Sequence, residues 1–139
     1  MKIVIINGPN LNLLGKREVD IYGNQDFDTY FRSLQQRYPA HELSYFQSNV
    51  EGELINEMQR VGFTVDGIIF NPGGYTHTSV AIGDAIAAIT SPVIEVHISN
   101  IFGREEFRKL SHVSGKAKGV ISGLGLKGYE LALNHFIDA

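Results

Sequence analysis

The sequence contains no cysteine. That excludes a disulfide framework, a thiolate nucleophile and a cysteine-based metal site, and it suits a reducing cytoplasm. Basic residues are not in excess either. Twelve Lys and Arg against 15 Asp and Glu leave a formal charge of -3 and a pI near 5.9. This argues against nucleic acid or an anionic membrane surface as partner, because both favour clustered cations. Long apolar runs are missing: no stretch approaches the roughly 20 residues needed to span a bilayer. Met1-Lys2 leads into only a few apolar residues before Asn7-Gly8-Pro9 interrupts them, unlike a signal peptide. The five histidines show neither H-E-x-x-H nor a ligand-like spacing with carboxylates, so no metal site is expected. The expectation is a soluble cytoplasmic protein. A small polar or anionic metabolite fits it best, since one site needs only one or two local cations.

What is present is enough for one domain. The chain has 139 residues and is 43% hydrophobic, which allows a real core, and a single catalytic unit over residues 1–139 is expected. Apolar runs alternate with segments of helical period, the rhythm of β-α units around a parallel sheet. Five strands are predicted: Lys2 to Ile6, Glu42 to Phe46, Gly67 to Phe70, Val93 to His97 and Gly119 to Ser122. Phe27, Phe31, Leu34 and Tyr38 place one apolar stripe on a helix that Pro39 ends. Leu54, Ile55, Met58 and Val61 mark a second helix, Ile82, Ala85, Ile86 and Ile89 a third, and Tyr129, Ala132, Leu133 and Phe136 a last one. Arg104 to Lys109 reads as a short helix. Five strands with such crossovers predict an α/β, flavodoxin-like three-layer sandwich with a five-stranded parallel sheet in the order 2-1-3-4-5. Right-handed crossovers then bring the loops after strands one, three and four to one edge.

Those three loops hold the unusual residues. The first, Asn7 to Gln25, is too long for a plain connection and reads as an active-site lid at about residues 12–24. It offers an amide (Asn10), a permanent cation (Arg17) and a phenol (Tyr22), punctuated by Gly8, Gly15 and Gly23. The second, Asn71 to Ser79, carries glycines that let backbone approach a ligand, together with His77; read alone it is a tight turn with Thr76 or Thr78 as helix N-cap. The third follows Glu95-Val96-His97-Ile98-Ser99-Asn100. In an extended strand Glu95 and His97 share a face, so the carboxylate can hold the imidazole's tautomer and ready it as a general acid. Taken alone, the pair reads equally well as an inert strand-end histidine with a salt-bridged neighbour. Arg104 to Arg108 is a charged helix face unless an arginine turns back into the cleft. Gly123-x-Gly125-x-x-Gly128 has the form of a dinucleotide fingerprint but lacks the further strand and the acidic residue that it requires, and reads as a tight turn with close helix packing.

Five blocks in register carry a resemblance. They are Gly8 to Gly15 with Arg17-Glu18 and Tyr22-Gly23; Gln47-Ser48-Asn49 with Glu51-Gly52-Glu53; Asn71-Pro72-Gly73 with Tyr75 to Ser79; Glu95 to Asn100; and Arg104 to Arg108. From Lys2 to about Leu133 the chain resembles the type II 3-dehydroquinate dehydratases. The resemblance implies a lyase that dehydrates 3-dehydroquinate to 3-dehydroshikimate through an enolate, in the shikimate pathway or in quinate breakdown, with no metal and no organic cofactor. It implies Tyr22 as the base and Arg17 as the cation that favours its phenolate, since a phenol's ordinary pKa of about 10 is too high for the task at neutral pH. It implies His97 as the general acid with Glu95 behind it, and Asn10 as the stabiliser of the enolate. Substrate positioning falls to Asn71, His77, Ile98, Ser99 and Arg108. Asp84 matches a residue that reaches a neighbouring subunit's site in a homododecamer built from trimers.

Departures from the family's usual pattern are Val19 for Pro, Val50 for His, Gly74 for Ala, Gly83 for Arg, and Phe102-Gly103 where His or Ala is common. Losing proline at position 19 predicts a looser lid. The rival expectation is a flavodoxin-like module that holds a phosphate or nucleotide without turnover. It accounts for the glycines and helix starts, but it leaves Arg17 and Tyr22 on one loop and the pair Glu95 and His97 on another without a purpose.

Overall fold

The computed structural model describes residues 1–138, and its sheet bears out the predicted topology. Five parallel strands, β1 (Lys2–Asn7), β2 (Glu42–Gln47), β3 (Gly67–Asn71), β4 (Val93–His97) and β5 (Gly119–Ser122), lie in the order β2-β1-β3-β4-β5. β1 and β3 carry the Ile- and Val-rich runs that suit strands buried on both faces. Alternation sends Ile3, Ile5, Ile69, Ile94 and Val96 to one face, and Val4, Ile6, Ile68, Phe70 and Val93 to the other.

Each face is covered by two helices. Phe27, Tyr30 and Leu34 of α2 (Phe27–Arg37) and Tyr129, Ala132, Leu133 and Phe136 of α5 (Lys127–Ile137) close the first. The second is closed by Leu54, Met58 and Val61 of α3 (Glu51–Val61) and by Ile82, Ala85 and Ile86 of α4 (Val80–Ala88). α1 (Val19–Tyr22) belongs to neither layer and lies in the segment after β1. Burying each large aliphatic side chain contributes about 1.5–3 kcal/mol, so the predicted stripes are also the main source of stability. Asp26 caps α2 by accepting from the Thr29 N–H at 2.8 Å.

The cap expected at Thr76 or Thr78 is at Ser79 instead, whose hydroxyl accepts from the Ile82 N–H at 3.0 Å. Residues 73–77 first make a 3₁₀ turn, which delays the α-helix by a residue and frees Thr76 for another task. The segment after β1 is more ordered than a plain loop. Leu11 and Leu14 anchor it in the core, Gly15 takes φ 87, Glu18 takes φ 38, and α1 presents Tyr22 before Gly23 turns away at φ 84. The glycine motif near the C-terminus is a turn and a packing device. Gly123 and Gly125 have positive φ, and Gly128 lies where a Cβ would press on Val96 and Ile121.

Candidate active site

The crossovers bring the loops after β1, β3 and β4 to the carboxyl edge of the sheet, where they enclose a cavity of about 130 Å³. Nine of the residues singled out in the sequence line it: Asn10, Arg17, Tyr22, Asn71, His77, His97, Ile98, Ser99 and Arg108. Glu95 lies behind this wall, fully buried. Asp84 lies elsewhere, exposed on α4 and outside the cavity.

Tyr22 enters from α1 beside two guanidinium groups. Arg17 sits over its ring, 4.7 Å from the centroid, and pairs with Glu18. The hydroxyl's own hydrogen bond comes from Arg104, whose Nη1 donates at 2.9 Å while also reaching the Ser99 Oγ at 3.2 Å. Both arginines thus set positive charge against the phenol. The sequence marked Arg104 only as one end of a charged segment, because spacing does not say which arginine of a short helix turns inward. Arg108 does line the cavity, held by Glu105 at 2.7 Å.

His97 and Glu95 share a face of β4, as alternation requires, and are hydrogen-bonded through His97 Nε2. The carboxylate also accepts from the Thr76 hydroxyl at 2.7 Å and the Ser114 hydroxyl at 2.6 Å. Burial alone would raise the Glu95 carboxyl; the hydrogen bonds from His97, Ser114 and Thr76 and the attraction of His97 outweigh it and hold the group below its ordinary value. With Nε2 engaged, Nδ1 has no protein partner among the described residues, and it is not a fully buried orphan.

His77 stacks near His97 with ring centroids 6.5 Å apart, and its Nδ1 meets the Leu110 carbonyl at 2.7 Å. Burial is the largest influence on it. With His97 and Arg108 nearby, burial holds the imidazole below its ordinary range despite the Leu110 bond. Asn71 is fixed from both ends of its amide. Its Nδ2 donates to the Tyr129 hydroxyl at 2.8 Å and its Oδ1 accepts from the Gly73 N–H at 3.0 Å. Tyr129 in turn donates to Asn7 at 2.8 Å, and burial pushes its phenol far above the ordinary value, so it stays a donor. Asn10 adopts a left-handed φ of 71, and its N–H donates to Asn49 Oδ1 at 2.9 Å. Asn tolerates that conformation better than most residues. Among the described residues no group of three or more His, Cys, Asp and Glu could hold a metal ion, and no helix is long and apolar enough to cross a membrane.

Sequence reasoning missed Arg104, Thr76, Ser111, Ser114 and Tyr129. A repeated serine between two helical patterns carries no periodic signal, and its contact with Glu95 spans 19 residues of sequence.

Comparison with known proteins gives a consistent picture. The family model described as "Dehydroquinase class II" matches residues 1–137. A protein of Actinobacillus pleuropneumoniae serotype 5b named 3-dehydroquinate dehydratase is 54% identical over 139 residues, covering 99% of this chain and 90% of its own length. One of the same name from Campylobacter jejuni is 53% identical, covering 99% and 88%. The crystal structure of type II dehydroquinase from Butyrivibrio crossotus superposes with a TM-score of 0.94 at 45% identity, covering 99% of this chain and 97% of the other.

Proposed function

This chain belongs to the class II dehydroquinase family, and from that premise we propose which of its side chains carry each proton. The protein is a hydro-lyase that dehydrates 3-dehydroquinate to 3-dehydroshikimate. Tyr22, as phenolate, removes a proton from the carbon beside the ketone. The Arg104 hydrogen bond at 2.9 Å and the Arg17 guanidinium over the ring stabilise that phenolate. The electron pair left on carbon becomes an enolate, and Asn10 at the cavity wall stabilises its oxygen by hydrogen bonding. The enolate then collapses and expels hydroxide from the β-carbon as His97 supplies a proton, so the leaving group departs as water. Glu95 holds the imidazole in place. The proton gained by Tyr22 and the one lost by His97 are exchanged with solvent to close the cycle.

Asn71, His77, Arg108 and the Ile98-Ser99 segment position the substrate's carboxylate and hydroxyls. Asp84 acts in the cavity of a neighbouring subunit of a homododecamer, which is consistent with its place outside its own chain's cavity. The enzyme works in the cytoplasm, in the shikimate pathway or in quinate breakdown, by proton transfers alone. The observation that carries this reading is that one small cavity is lined both by a phenol hydrogen-bonded to arginine and by an imidazole backed by a buried carboxylate. A nucleotide-binding module without turnover is not favoured, since the chain's relatives are named 3-dehydroquinate dehydratase and such a module has no use for that phenol and imidazole.

Mixing the purified protein with 3-dehydroquinate should raise enone absorbance. Tyr22→Phe should lower kcat by at least about 10²-fold, the scale of one positioned acid or base, while equilibrium binding of a non-reacting ring carboxylate persists. Retained turnover in that variant would mean that another group is the base. Borohydride added during turnover should trap no lysine adduct.

A further inference from the structure

The carboxylate behind His97 is itself held by two hydroxyl groups and these by a third, none of which lines the cavity. Thr76 Oγ1 lies 2.7 Å from Glu95 Oε2, Ser114 Oγ lies 2.6 Å from Oε1, and Ser111 Oγ lies 2.8 Å from Thr76 Oγ1 and 3.0 Å from Ser114 Oγ. Ser111 Oγ also accepts the N–H groups of Val113 at 3.0 Å and Ser114 at 2.9 Å. Each hydroxyl has one proton, and an ionised carboxylate only accepts. Thr76 and Ser114 therefore direct their protons onto Glu95, and Ser111, supplied by two backbone donors, directs its own onto one of those two oxygens. Every donor in the chain runs toward Glu95, and the last one to reach it is His97 Nε2.

Resting on the dehydratase reading above, we infer that Thr76, Ser111 and Ser114 are positioning residues for the general acid, a hydroxyl chain that holds Glu95 as an acceptor and so turns His97 Nδ1 toward the leaving group. The acid is the imidazolium, which donates Nε2–H to Glu95 and releases its Nδ1 proton to the leaving group, so that the neutral Nε2–H tautomer remains. Without the chain, Glu95 could rotate or take up a proton, and either change lets neutral His97 keep its proton on Nδ1 instead. The same segment serves the second histidine, because the Leu110 carbonyl bonds His77 Nδ1 at 2.7 Å. The segment is docked by the His112 N–H on the Thr76 carbonyl at 2.8 Å and by the His112 carbonyl lying against Gly83 of α4, where a Cβ would collide with it. Residues 110–114 thus support both imidazoles from outside the cavity.

The test compares Thr76→Val, Thr76→Ser, Ser114→Ala and wild type, using 3-dehydroquinate turnover as a function of pH and solid-state ¹⁵N spectra of histidine-labelled protein. Ser114→Ala and Thr76→Val should each lower kcat about tenfold, a usual scale for removing an outer support of a functional side chain, with KM changing much less. Thr76→Ser keeps the hydroxyl and should restore kcat to near the wild-type value. The charged and titratable groups facing Glu95 are His97 on its own strand and His77 on the adjacent loop, with Arg108 beside His77. Removing a donor weakens the carboxylate's preference for ionisation, so the acid limb of the kcat profile should move to higher pH. The ¹⁵N spectra should show a wild-type His97 with its neutral proton on Nε2 and a mixture of tautomers in the two damaging variants. Unchanged histidine spectra and an unmoved acid limb overturn the inference, as does a kcat loss that Thr76→Ser fails to restore. The histidine spectra stand apart from turnover, so a wild-type protein inactive on 3-dehydroquinate would strike the dehydratase reading instead.

Discussion

At the scale of single residues, the chemistry was legible in the sequence as residue types and illegible as partnerships. Tyr22, His97 and Glu95 announced themselves by position: a phenol on a glycine-punctuated loop, and two polar groups two apart at a strand end. The cation on the phenol did not, because Arg104 is 82 residues from Tyr22 and only the packing of the segment after β1 on the loop after β4 brings them to 2.9 Å. A hydrogen bond to a charged partner is worth about 1.5–3 kcal/mol. Arg104→Met should therefore lower kcat about ten- to hundredfold, with far-UV circular dichroism unchanged. Turnover equal to wild type would show that Arg17 alone sustains the base.

At the scale of elements, periodicity located each main helix and strand, and the errors fell where side chains compete for caps. Ser79, Thr78 and Thr76 are all competent N-cap residues, and the 3₁₀ turn at 73–77 assigned the cap to Ser79. The segment after β1 was legible as a long loop punctuated by glycine, whereas its one-turn helix was not, since four residues carry too little period to detect. Gly15 has φ 87, and a Cβ there would lie 3.0 Å from the Asn24 carbonyl oxygen and 3.2 Å from the Asp26 nitrogen. Gly15→Ala should cost the ordered lid about 1–2 kcal/mol and lower kcat/KM about five- to thirtyfold, while the urea midpoint of the whole protein stays in place.

A second element-scale contact joins α2 to α5. Glu130, 6% exposed, accepts from the Tyr38 hydroxyl and from Arg37, each at 2.7 Å, and pairs with Lys127 at 2.9 Å. The Tyr38 hydrogen bond leads, opposed by burial and joined by Lys127 and Arg37, and the Glu130 carboxyl is pulled down to about 2. A carboxyl with a depressed folded-state pKa adds stability at neutral pH that is lost as pH falls. Glu130→Gln should cost about 1–3 kcal/mol at pH 7. In urea titrations the gap between variant and wild type should narrow below pH 4.5 and close near about 2. A gap that does not change with pH would refute the assignment.

At the scale of the whole molecule, the order β2-β1-β3-β4-β5 is what makes a site, because it sets three loops from distant parts of the chain around one cavity. Asp84 lies outside it, and its proposed role in a neighbouring subunit can be tested by mixing. Asp84→Ala chains and Tyr22→Phe chains should each be inactive alone and should recover turnover when unfolded and refolded together, since a mixed oligomer contains some intact sites; no recovery would confine both residues to one chain. The sequence by itself determined the layers, the strand order and which side chains are candidates for proton transfer, because those follow from hydrophobic period, crossover handedness and residue chemistry, all of which are local or nearly so. Only the tertiary structure decided that Arg104 meets the phenol and that two hydroxyls, backed by a third, meet Glu95. Such contacts depend on how loops pack across long separations, and a hydrogen bond of that kind leaves no periodic trace in the chain.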